Sequence, residues 1–420
     1  MTARRTGQYD TVSAGGESVR AFVPAALPPV DPPLVIDAQL GARLDRAEEA
    51  LVRLNLAGEM VPSIDWFIYA FVRKEAVISS QIEGTQATLL DLLAFEAQQA
   101  AHPNADLEEV TNYLAALAYA RRQLAAKRGL PLSIRLLNEA HKRLMRGVRG
   151  ANRQPGEVRR NQNWIGGSRP GNAVYVPPPA GKLPQLLSDL ATYIHGDDPM
   201  PKLLRVGLLH AQFESIHPYL DGNGRIGRLL ITLLLEHWSL LEQPLLYLSL
   251  FFKRHRQEYY RRLDRIRSDG DWEGWLDFFL DGVATIADEA VESARDLFAL
   301  VGRDRSRLLA TPDASIAAMR LFEQLPRQPI VTIASAMELV DASKPTAIRA
   351  VNGLVTAGIL AETTGRKRDR SFAYRAYLDR LQAGTELGAT PPVPPRGEPK
   401  PPRARSGTAA RRTAASTRTR

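Results

Sequence analysis

Residues 217–228 read HPYLDGNGRIGR and connect two apolar stretches, LLRVGLLHAQFESI before them and LLITLLLEHW after them. The apolar residues of these stretches have the spacing of core helices. Pro218 disfavours helical geometry in the residue before it, so the first helix should end near His217. The second helix should begin near Asn223, which leaves PYLDGNG as a short link between two helices.

The link contains groups that suit a phosphate. Gly222 and Gly224 tolerate positive φ, which lets backbone amides turn inward. Amides at a helix N-terminus form a positive site for phosphate oxygens. Arg225 and Arg228 are three residues apart, so they should share one face of the second helix. A guanidinium there can bind phosphate bidentately.

Two further residues of the link point to catalysis. Asp221 is a hard oxygen ligand that could hold Mg²⁺ beside the phosphates. His217 titrates near neutrality and could deprotonate a hydroxyl group. Each feature alone has an ordinary explanation, since a histidine can cap a helix and Gly-Asn-Gly can form a turn. The joint spacing favours phosphoryl-transfer chemistry.

The composition is that of an ordinary globular protein, with 420 residues, 44% hydrophobic and 24% charged. The chain has no cysteine, which excludes disulfides, thiolate zinc sites and cysteine nucleophiles and suits a reducing compartment. The N-terminus lacks an apolar core of signal-peptide length. The longest apolar runs are too short for a bilayer. We therefore expect a cytoplasmic protein with no membrane partner.

The positive charge is concentrated at the C-terminus. The net charge is +9, and residues 396–420 carry eight basic residues and one acid. About +2 therefore remains for the rest of the chain, which is not a basic nucleic-acid binder overall. The tail is rich in Pro, Ala, Thr and Arg, so we expect it to be disordered and solubilising.

The residue pattern divides the chain into five parts. They are an irregular, proline-rich N-terminal arm (1–36), a helical region (37–128), a helical core (129–305), a winged-helix-like part (310–380) and the disordered basic tail (385–420). Residues 150–180, rich in Gly, Pro and Asn, interrupt the core as a long loop or short hairpin. The winged-helix prediction follows from a helix, a helix-turn-helix and two strand-like runs.

The 217–228 segment resembles the signature of the Fic family, H-P-F-x-D/E-G-N-G-R-x-x-R, and departs from it only by Tyr219 in place of Phe. EVTNYLAAL and RRNQNWIGG…YVPPP also resemble that family, over roughly residues 30–300. The resemblance implies a mainly α fold: a Fic-type helical domain with a β-hairpin flap, followed here by a small α/β winged-helix domain. Residues 129–305 would then be the Fic catalytic core.

The resemblance also implies a reaction, the transfer of AMP from ATP to a Ser, Thr or Tyr hydroxyl of a target protein. It gives His217 the role of general base and Asp221 that of ligand for Mg²⁺, with Mn²⁺ as a possible substitute. Arg228 would bind the terminal phosphate. The implied phosphate cradle consists of Gly222, Asn223, Gly224 and Arg225. Doc-type relatives, which transfer a terminal phosphate, carry Lys where this chain has Gly224, and other relatives transfer phosphocholine or UMP. The glycine favours nucleotidyl transfer.

Two other segments resemble parts of the family that hold substrates. QNWIGG, with Trp164, Ile165, Gly166 and Gly167, resembles the flap that positions the target, although a simple packed hairpin would have the same pattern. Tyr259 and Tyr260 resemble the position that contacts adenine and ribose. One tyrosine of such a pair is expected in the core, and the sequence does not choose between them. Arg267 replaces an Asn that some relatives carry.

SSQIEG resembles the inhibitory pattern S/T-x-x-x-E-G/N, through Ser79, Glu83 and Gly84. The resemblance implies that a helix in residues 37–128 places Glu83 against Arg228, in the space that the γ-phosphate needs. Because one guanidinium cannot bind both anions in the same place, ATP would bind unproductively. The alternative is a solvent-facing glutamate on a capped helix.

The winged-helix-like part allows a second function. Lys344 and Arg349 lie on its predicted recognition helix, and GRKRDR, residues 365–370, on its wing, where they could contact phosphates of DNA. Winged helices also serve as dimerisation modules. The alternative to an enzyme is thus a DNA-binding regulator whose Fic domain senses nucleotide or forms a homodimer.

Overall fold

In the computed structural model of the protein, helices carry most of the chain between residues 38 and 309. The structure describes residues 4–59, 64–98, 103–147, 153–312, 314–365 and 369–387. The helices of this part are α1 (Ala38–Glu59), α2 (Ile64–Ile82), α3 (Leu89–Gln98), α4 (Ala105–Ala125), α5 (Ile134–Leu144), α6 (Leu183–His195), α7 (Lys202–Ile216), α8 (Asn223–His237), α9 (Ser249–Arg254), α10 (Arg256–Asp269) and α11 (Trp272–Leu309). The predicted mainly α fold is confirmed.

Helices α7 and α8 form the centre of this bundle. Both are buried on nearly every side, as expected for helices that lie inside a core rather than on its surface. Helix α7 packs against α6, α8 and α11, while α8 also packs against α4 and α5. Both ends of the link between α7 and α8 are therefore fixed by buried helices.

Gly207 lets α11 approach α7 closely. The Trp275 indole Nε1 donates to the Gly207 carbonyl at 2.9 Å. A Cβ at Gly207 would lie 2.8 Å from Leu276 Cδ2 and 3.0 Å from Phe279 Cδ1. A larger residue here would therefore force the two helices apart.

The N-terminal arm is not irregular, which corrects the prediction for residues 1–36. Its strands β1 (Gly7–Ala14) and β2 (Glu17–Pro24) pair antiparallel, with Tyr9 opposite Phe22. A two-glycine turn, Gly15-Gly16 with positive φ at both residues, joins them. Two glycines between alternating runs are a hairpin signal, so the sequence contained this information.

Among the described residues after α11, the structure has four short helices and three short strands. They are α12 (Ile316–Gln324), β3 (Ile330–Thr332), α13 (Ile333–Val340), α14 (Lys344–Thr356), β4 (Ala361–Glu362), β5 (Ser371–Ala373) and α15 (Arg375–Leu381). The sheet is antiparallel in the order β3-β5-β4. The sequence pattern predicted α12, α13, α14 and the last two strands but missed β3 and α15. Of the predicted wing residues, 366–368 lie outside the described residues.

Two predicted boundaries shift. Residue 305 falls inside α11, which continues to Leu309. Residue 385 is too early a start for the tail, since Thr385 is buried and its carbonyl accepts a hydrogen bond from Gln81. The rest of the predicted tail, residues 388–420, lies outside the described residues. In the part of the chain that the structure describes, we find no helix with the length and apolarity to cross a bilayer.

Replacing Gly207 by Val should lower the free energy of unfolding by about 1–3 kcal/mol, because the added methyl groups overpack the contact between α7 and α11. The measurement is the urea midpoint of the full chain. Gly302→Val is the matched control, since Gly302 lies on α11 with no atom within 4 Å of an added Cβ. Equal midpoints for the two variants would contradict the close approach.

Candidate active site

The link between α7 and α8 begins and ends in left-handed backbone conformation. Helix α7 ends at Ile216, and His217 follows with φ 49° and ψ 61°. Its amide still donates to the Phe213 carbonyl at 2.9 Å. Gly222, with φ 75°, precedes the first residue of α8. The predicted ends of both helices are confirmed.

Asn223 closes the link upon itself. Its Oδ1 accepts from the Tyr219 amide and its Nδ2 donates to the Tyr219 carbonyl, both at 2.8 Å. Asn223 is buried, so its side chain fixes the loop, whereas the resemblance gave it a place in the phosphate cradle. The backbone amides of α8's first turn are the groups that the loop presents at this end.

His217 lies half-buried at the start of the link. Burial lowers its pKa to about 4, and the Arg159 guanidinium acts in the same direction, against the opposing effects of Glu83 and the Glu214 backbone. The imidazole is therefore neutral at pH 7. A neutral imidazole can accept a proton, as a general base must.

Arg228 is almost fully buried and is bound by the end of α2. Its Nη2 donates to Glu83 Oε1 at 2.6 Å and to the Ser79 carbonyl at 2.9 Å. Its Nε donates to Ser79 Oγ at 2.9 Å. Burial by itself would raise the pKa of Glu83, but the adjacent Arg228 guanidinium more than offsets it, and the pKa is lowered. Glu83 is thus a carboxylate paired with a buried cation.

The same carboxylate lies against the N-terminus of α8. A Cβ built on Gly224 would be 2.3 Å from Glu83 Oε1. The turn after α2 that places Glu83 here uses Gly84, whose φ of 100° favours glycine. The Glu83 carboxylate therefore lies at the N-terminus of α8, where the sequence analysis expected phosphate oxygens. The resemblance of SSQIEG to the inhibitory pattern implied this position for Glu83.

Arg225 does not lie beside Arg228 as a second open phosphate ligand. Its Nη1 contacts Glu109 Oε2 at 3.2 Å, and Glu109 also accepts from Thr85 Oγ1 at 2.9 Å. Arg225 is buried, and its Nη2 lies 3.8 Å from Asp221 Oδ1. Arg225 and Arg228, expected to share one face of the helix, have different anionic partners here, because a buried guanidinium needs a nearby anion and Glu109 on α4 supplies it for Arg225.

Asp221 is the acid of the link that faces solvent. Its side chain is 47% exposed, and Oδ1 accepts from the Gly222 amide at 2.6 Å. Among the described residues, no group of three acidic or histidine side chains is arranged to hold a metal ion. The donor set fits Mg²⁺ or Mn²⁺ only if a substrate's phosphates complete it, which is how proteins commonly bind Mg²⁺.

The two tyrosines of α10 separate into a core residue and an exposed one. Tyr259 is buried, stacks on Phe252 and shares a hydrogen bond with His210 Nε2 at 2.9 Å. Tyr260 is 44% exposed. The structure thus leaves Tyr260 as the candidate for contact with a nucleotide and places Tyr259 among the packing residues.

The predicted flap is a loop closed by a single antiparallel bridge between Ile165 and Tyr175. Gly166 and Gly167, both with positive φ, make its bend. Trp164 and Ile165 are 38% and 36% exposed. The flap therefore presents apolar side chains at the surface without forming a regular hairpin.

Sequence reasoning missed Arg159, which ties the flap to the link. Arg159 is buried and donates to three carbonyls: His217 at 3.0 Å, Asn161 at 3.1 Å and Pro178 at 2.6 Å. It also missed His141 on α5, whose ring contacts the Asp221 carbonyl at 3.0 Å. His141 lies on the apolar face of a helix between Leu137 and Leu144, which was the available signal.

Two family models match the chain. The model described as Fic/DOC family N-terminal matches residues 42–122, and the model described as Fic/DOC family matches residues 131–235, which include the whole link. Over these two segments the chain is similar to the Fic/DOC family. The matched segments contain Ser79, Glu83, His217, Asp221 and Arg228.

Curated relatives of this chain carry the name Protein adenylyltransferase Fic. The one from Drosophila ananassae is 27% identical over 221 residues, which cover 51% of this chain and 41% of the relative. The one from Culex quinquefasciatus is 26% identical over 256 residues, 59% of this chain and 46% of the relative. The aligned part of this chain spans less than half the length of these relatives.

A solved structure supports the fold. The crystal structure of a Fic family protein from Desulfovibrio desulfuricans G20 is similar with a TM-score of 0.53 at 21% identity. The similarity covers 82% of this chain and 98% of that one. The common fold therefore includes residues beyond the two matched segments.

Removing the positive charge of Arg159 should raise the pKa of His217 above its value of about 4, because a nearby cation disfavours the imidazolium. We expect Arg159→Gln to shift the His217 titration to higher pH in histidine-labelled NMR spectra, with the signal assigned from His217→Ala. Arg160→Gln is the control, since Arg160 is largely exposed and bound to Glu157. An unchanged titration in Arg159→Gln would exclude this electrostatic effect.

Proposed function

We propose that this Fic protein is a self-inhibited protein adenylyltransferase that transfers AMP from ATP to a hydroxyl side chain of a target protein. The observation that carries the proposal is the 2.6 Å ion pair between Glu83 and Arg228, formed at the N-terminus of α8 beside His217. The names of the curated relatives agree with this activity.

In the proposed reaction, His217 accepts the proton of the target hydroxyl. The oxygen attacks the α-phosphorus of ATP, the bond to the β-phosphate oxygen breaks, and diphosphate leaves. The depressed pKa of His217 supports the first step, since the ring is neutral before reaction. The remaining task is to position and neutralise phosphates, which supplies most of the rate enhancement in phosphoryl transfer.

The residues around the link divide that task. The first-turn amides of α8 and the Arg228 guanidinium would bind phosphate oxygens once Glu83 has moved. Asp221 would hold Mg²⁺, or Mn²⁺ in its place, and the ion neutralises phosphate charge when bound. Tyr260 is the exposed aromatic candidate for the nucleoside, and Trp164 with Ile165 would contact the target's backbone segment at the flap.

Self-inhibition follows from competition for one guanidinium. Arg228 is buried with Ser79 and Glu83 as its hydrogen-bond acceptors, and the γ-phosphate of ATP would have to displace the Glu83 carboxylate. A triphosphate that cannot reach Arg228 would be held with its α-phosphorus out of line with the hydroxyl, so binding would not lead to transfer.

Fewer observations support the alternative functions. Gly224 leaves no cation at the position where Doc-type relatives carry Lys. Lys344 and Arg349 are exposed on α14, so DNA contact through the winged-helix part remains a prediction, as does a homodimer. Neither would need the neutral imidazole beside Arg228.

Replacing Glu83 by Gly should raise self-labelling from α-³²P-ATP by about tenfold or more, since a hydrogen bond between charged groups is worth roughly 1.5–3 kcal/mol. Adding His217→Ala to this variant should abolish the signal. Label from γ-³²P-ATP should not be incorporated in either case.

Glu59→Gly is the matched control, because Glu59 is also an exposed glutamate at a helix end and should leave labelling unchanged. A Glu83→Gly protein no more active than the parent would refute the inhibitory contact. Incorporation of γ-label would instead assign the kinase reaction.

A further inference from the structure

The His141 ring contacts two backbone groups, of which one, the Asp221 carbonyl, belongs to the link. The Gly156 amide donates to His141 Nδ1 at 2.9 Å, so Nδ1 carries no proton. His141 Nε2 lies 3.0 Å from the Asp221 carbonyl, which can only accept, so Nε2 carries the proton and donates. These two contacts fix the ring as one neutral tautomer.

The ring itself cannot shift. His141 is fully buried and stacks on Tyr219 with a centroid separation of 3.9 Å and an interplanar angle of 6°. The Tyr219 hydroxyl in turn donates to Asn138 Oδ1 at 2.8 Å. A Cβ on Gly222 would lie 3.4 Å from His141 Nε2, so the peptide between Asp221 and Gly222 rests against the imidazole edge.

We propose that His141 is a positioning residue for the metal that accompanies the nucleotide. By holding the Asp221 carbonyl, it fixes the peptide plane from which the half-exposed Asp221 carboxylate projects. Because the carboxylate is then already oriented, binding the cation costs less conformational entropy, and the metal affinity is higher. This inference rests on the proposed function, because it assigns the metal to the nucleotide site.

A pair of near-isosteric variants separates the two contacts of His141. In His141→Gln the side-chain amide can still donate to the Asp221 carbonyl, whereas in His141→Asn the amide oxygen can still accept from the Gly156 amide. We expect His141→Asn to need about tenfold more Mg²⁺ for half-maximal binding of a non-hydrolysable ATP analogue, measured calorimetrically in the Glu83→Gly protein. His141→Gln should stay within about threefold of the parent.

Binding of the analogue in EDTA should be equal in all three proteins, which separates metal positioning from a general loss of structure. Equal Mg²⁺ requirements in the two variants would overturn the proposal and leave the proposed function intact. No analogue binding to the parent would instead refute the proposed function. If both variants unfold, the ring ¹⁵N shifts of His141 in the parent decide: Nε2–H must be protonated, and its shift must change with Mg²⁺ only when the analogue is present.

A separate set of contacts joins the inhibitory segment to the C-terminal end of the described chain. Gln81, two residues before Glu83, donates from Nε2 to the carbonyls of Ala87 and Thr385, both at 2.9 Å. Its Oε1 accepts from Lys253 Nζ on α9 at 2.7 Å. One side chain thus holds the turn after α2 and the segment after α15 together.

Residues 384–386, which we call the C-terminal latch, pack against the same place. Lys253 Nζ donates to the Glu386 carbonyl at 2.7 Å. Thr385 is buried, and a Cβ on Gly384 would lie 2.9 Å from Leu250 on α9. The latch therefore contacts the end of α2 through Gln81, two residues before Glu83, and restrains the turn that carries Glu83.

We infer that the C-terminal latch stabilises the inhibited state, so that its displacement lets Glu83 leave Arg228. This also rests on the proposed function. Lys253→Met should raise self-labelling of the full chain about two- to fivefold and should increase hydrogen exchange of residues 79–87. Lys202→Met is the control, since Lys202 is exposed at the start of α7 and donates to the Trp238 carbonyl instead.

The effect of Lys253→Met should vanish in the Glu83→Gly background, because the restrained group is then absent. An equal gain in both backgrounds, or unchanged exchange in residues 79–87, would overturn the latch. If Glu83→Gly alone does not gain activity, the inhibitory contact of the proposed function is refuted. Hydrogen exchange of residues 79–87 would still test whether the latch restrains the turn after α2.

Discussion

A buried guanidinium needs an anion, and this requirement at Arg228 organises the whole site. Arg228 has a side chain that is 2% exposed, and leaving its charge without a counter-charge would cost several kcal/mol. Glu83 supplies the counter-charge in the structure. A phosphate group could supply it equally well, but the two cannot do so together. In the proposed function, the occupant of this position distinguishes the inhibited enzyme from the active one.

Three other side chains around the link bind its backbone groups. Asn223 closes the link internally, Arg159 ties the carbonyl of His217 to the base of the flap, and His141 holds the carbonyl of Asp221. Each of these side chains binds backbone groups, so the loop keeps its shape whichever anion is present. Preorganisation of this kind is what transfer chemistry demands, since the reacting groups must not be reordered at the moment of reaction.

The sequence predicted the parts of the site that depend on neighbouring residues. Pro218 and Gly222 set the ends of α7 and α8, whereas the contact of Glu83 with Arg228 was implied by the resemblance of SSQIEG to the inhibitory pattern of the family. The sequence could not show that Arg225 turns to Glu109, because that choice depends on a helix more than a hundred residues away. For the same reason it could not decide between Tyr259 and Tyr260, whose burial depends on which face of α10 meets Phe252.

The missed features have different physical origins. The pairing of β1 and β2 was readable from Gly15-Gly16, but proline-rich surroundings concealed it. Strand β3 has only three residues and gains its identity by pairing with β5, so no local periodicity could reveal it. Arg159 looked like one of many charged loop residues, and only its three carbonyl partners show that it is buried for a structural purpose.

The 38 residues of α11 form one uninterrupted rod of about 57 Å. Near one end Trp275 donates to the Gly207 carbonyl of α7, and near the other Asp304 accepts a hydrogen bond from Tyr374 next to the small sheet. One continuous helix, and not a flexible linker, therefore connects the helical bundle to the elements that follow α11. A macromolecule that bound the elements after α11 would therefore contact a segment continuous with the helix that packs on α1 and α7.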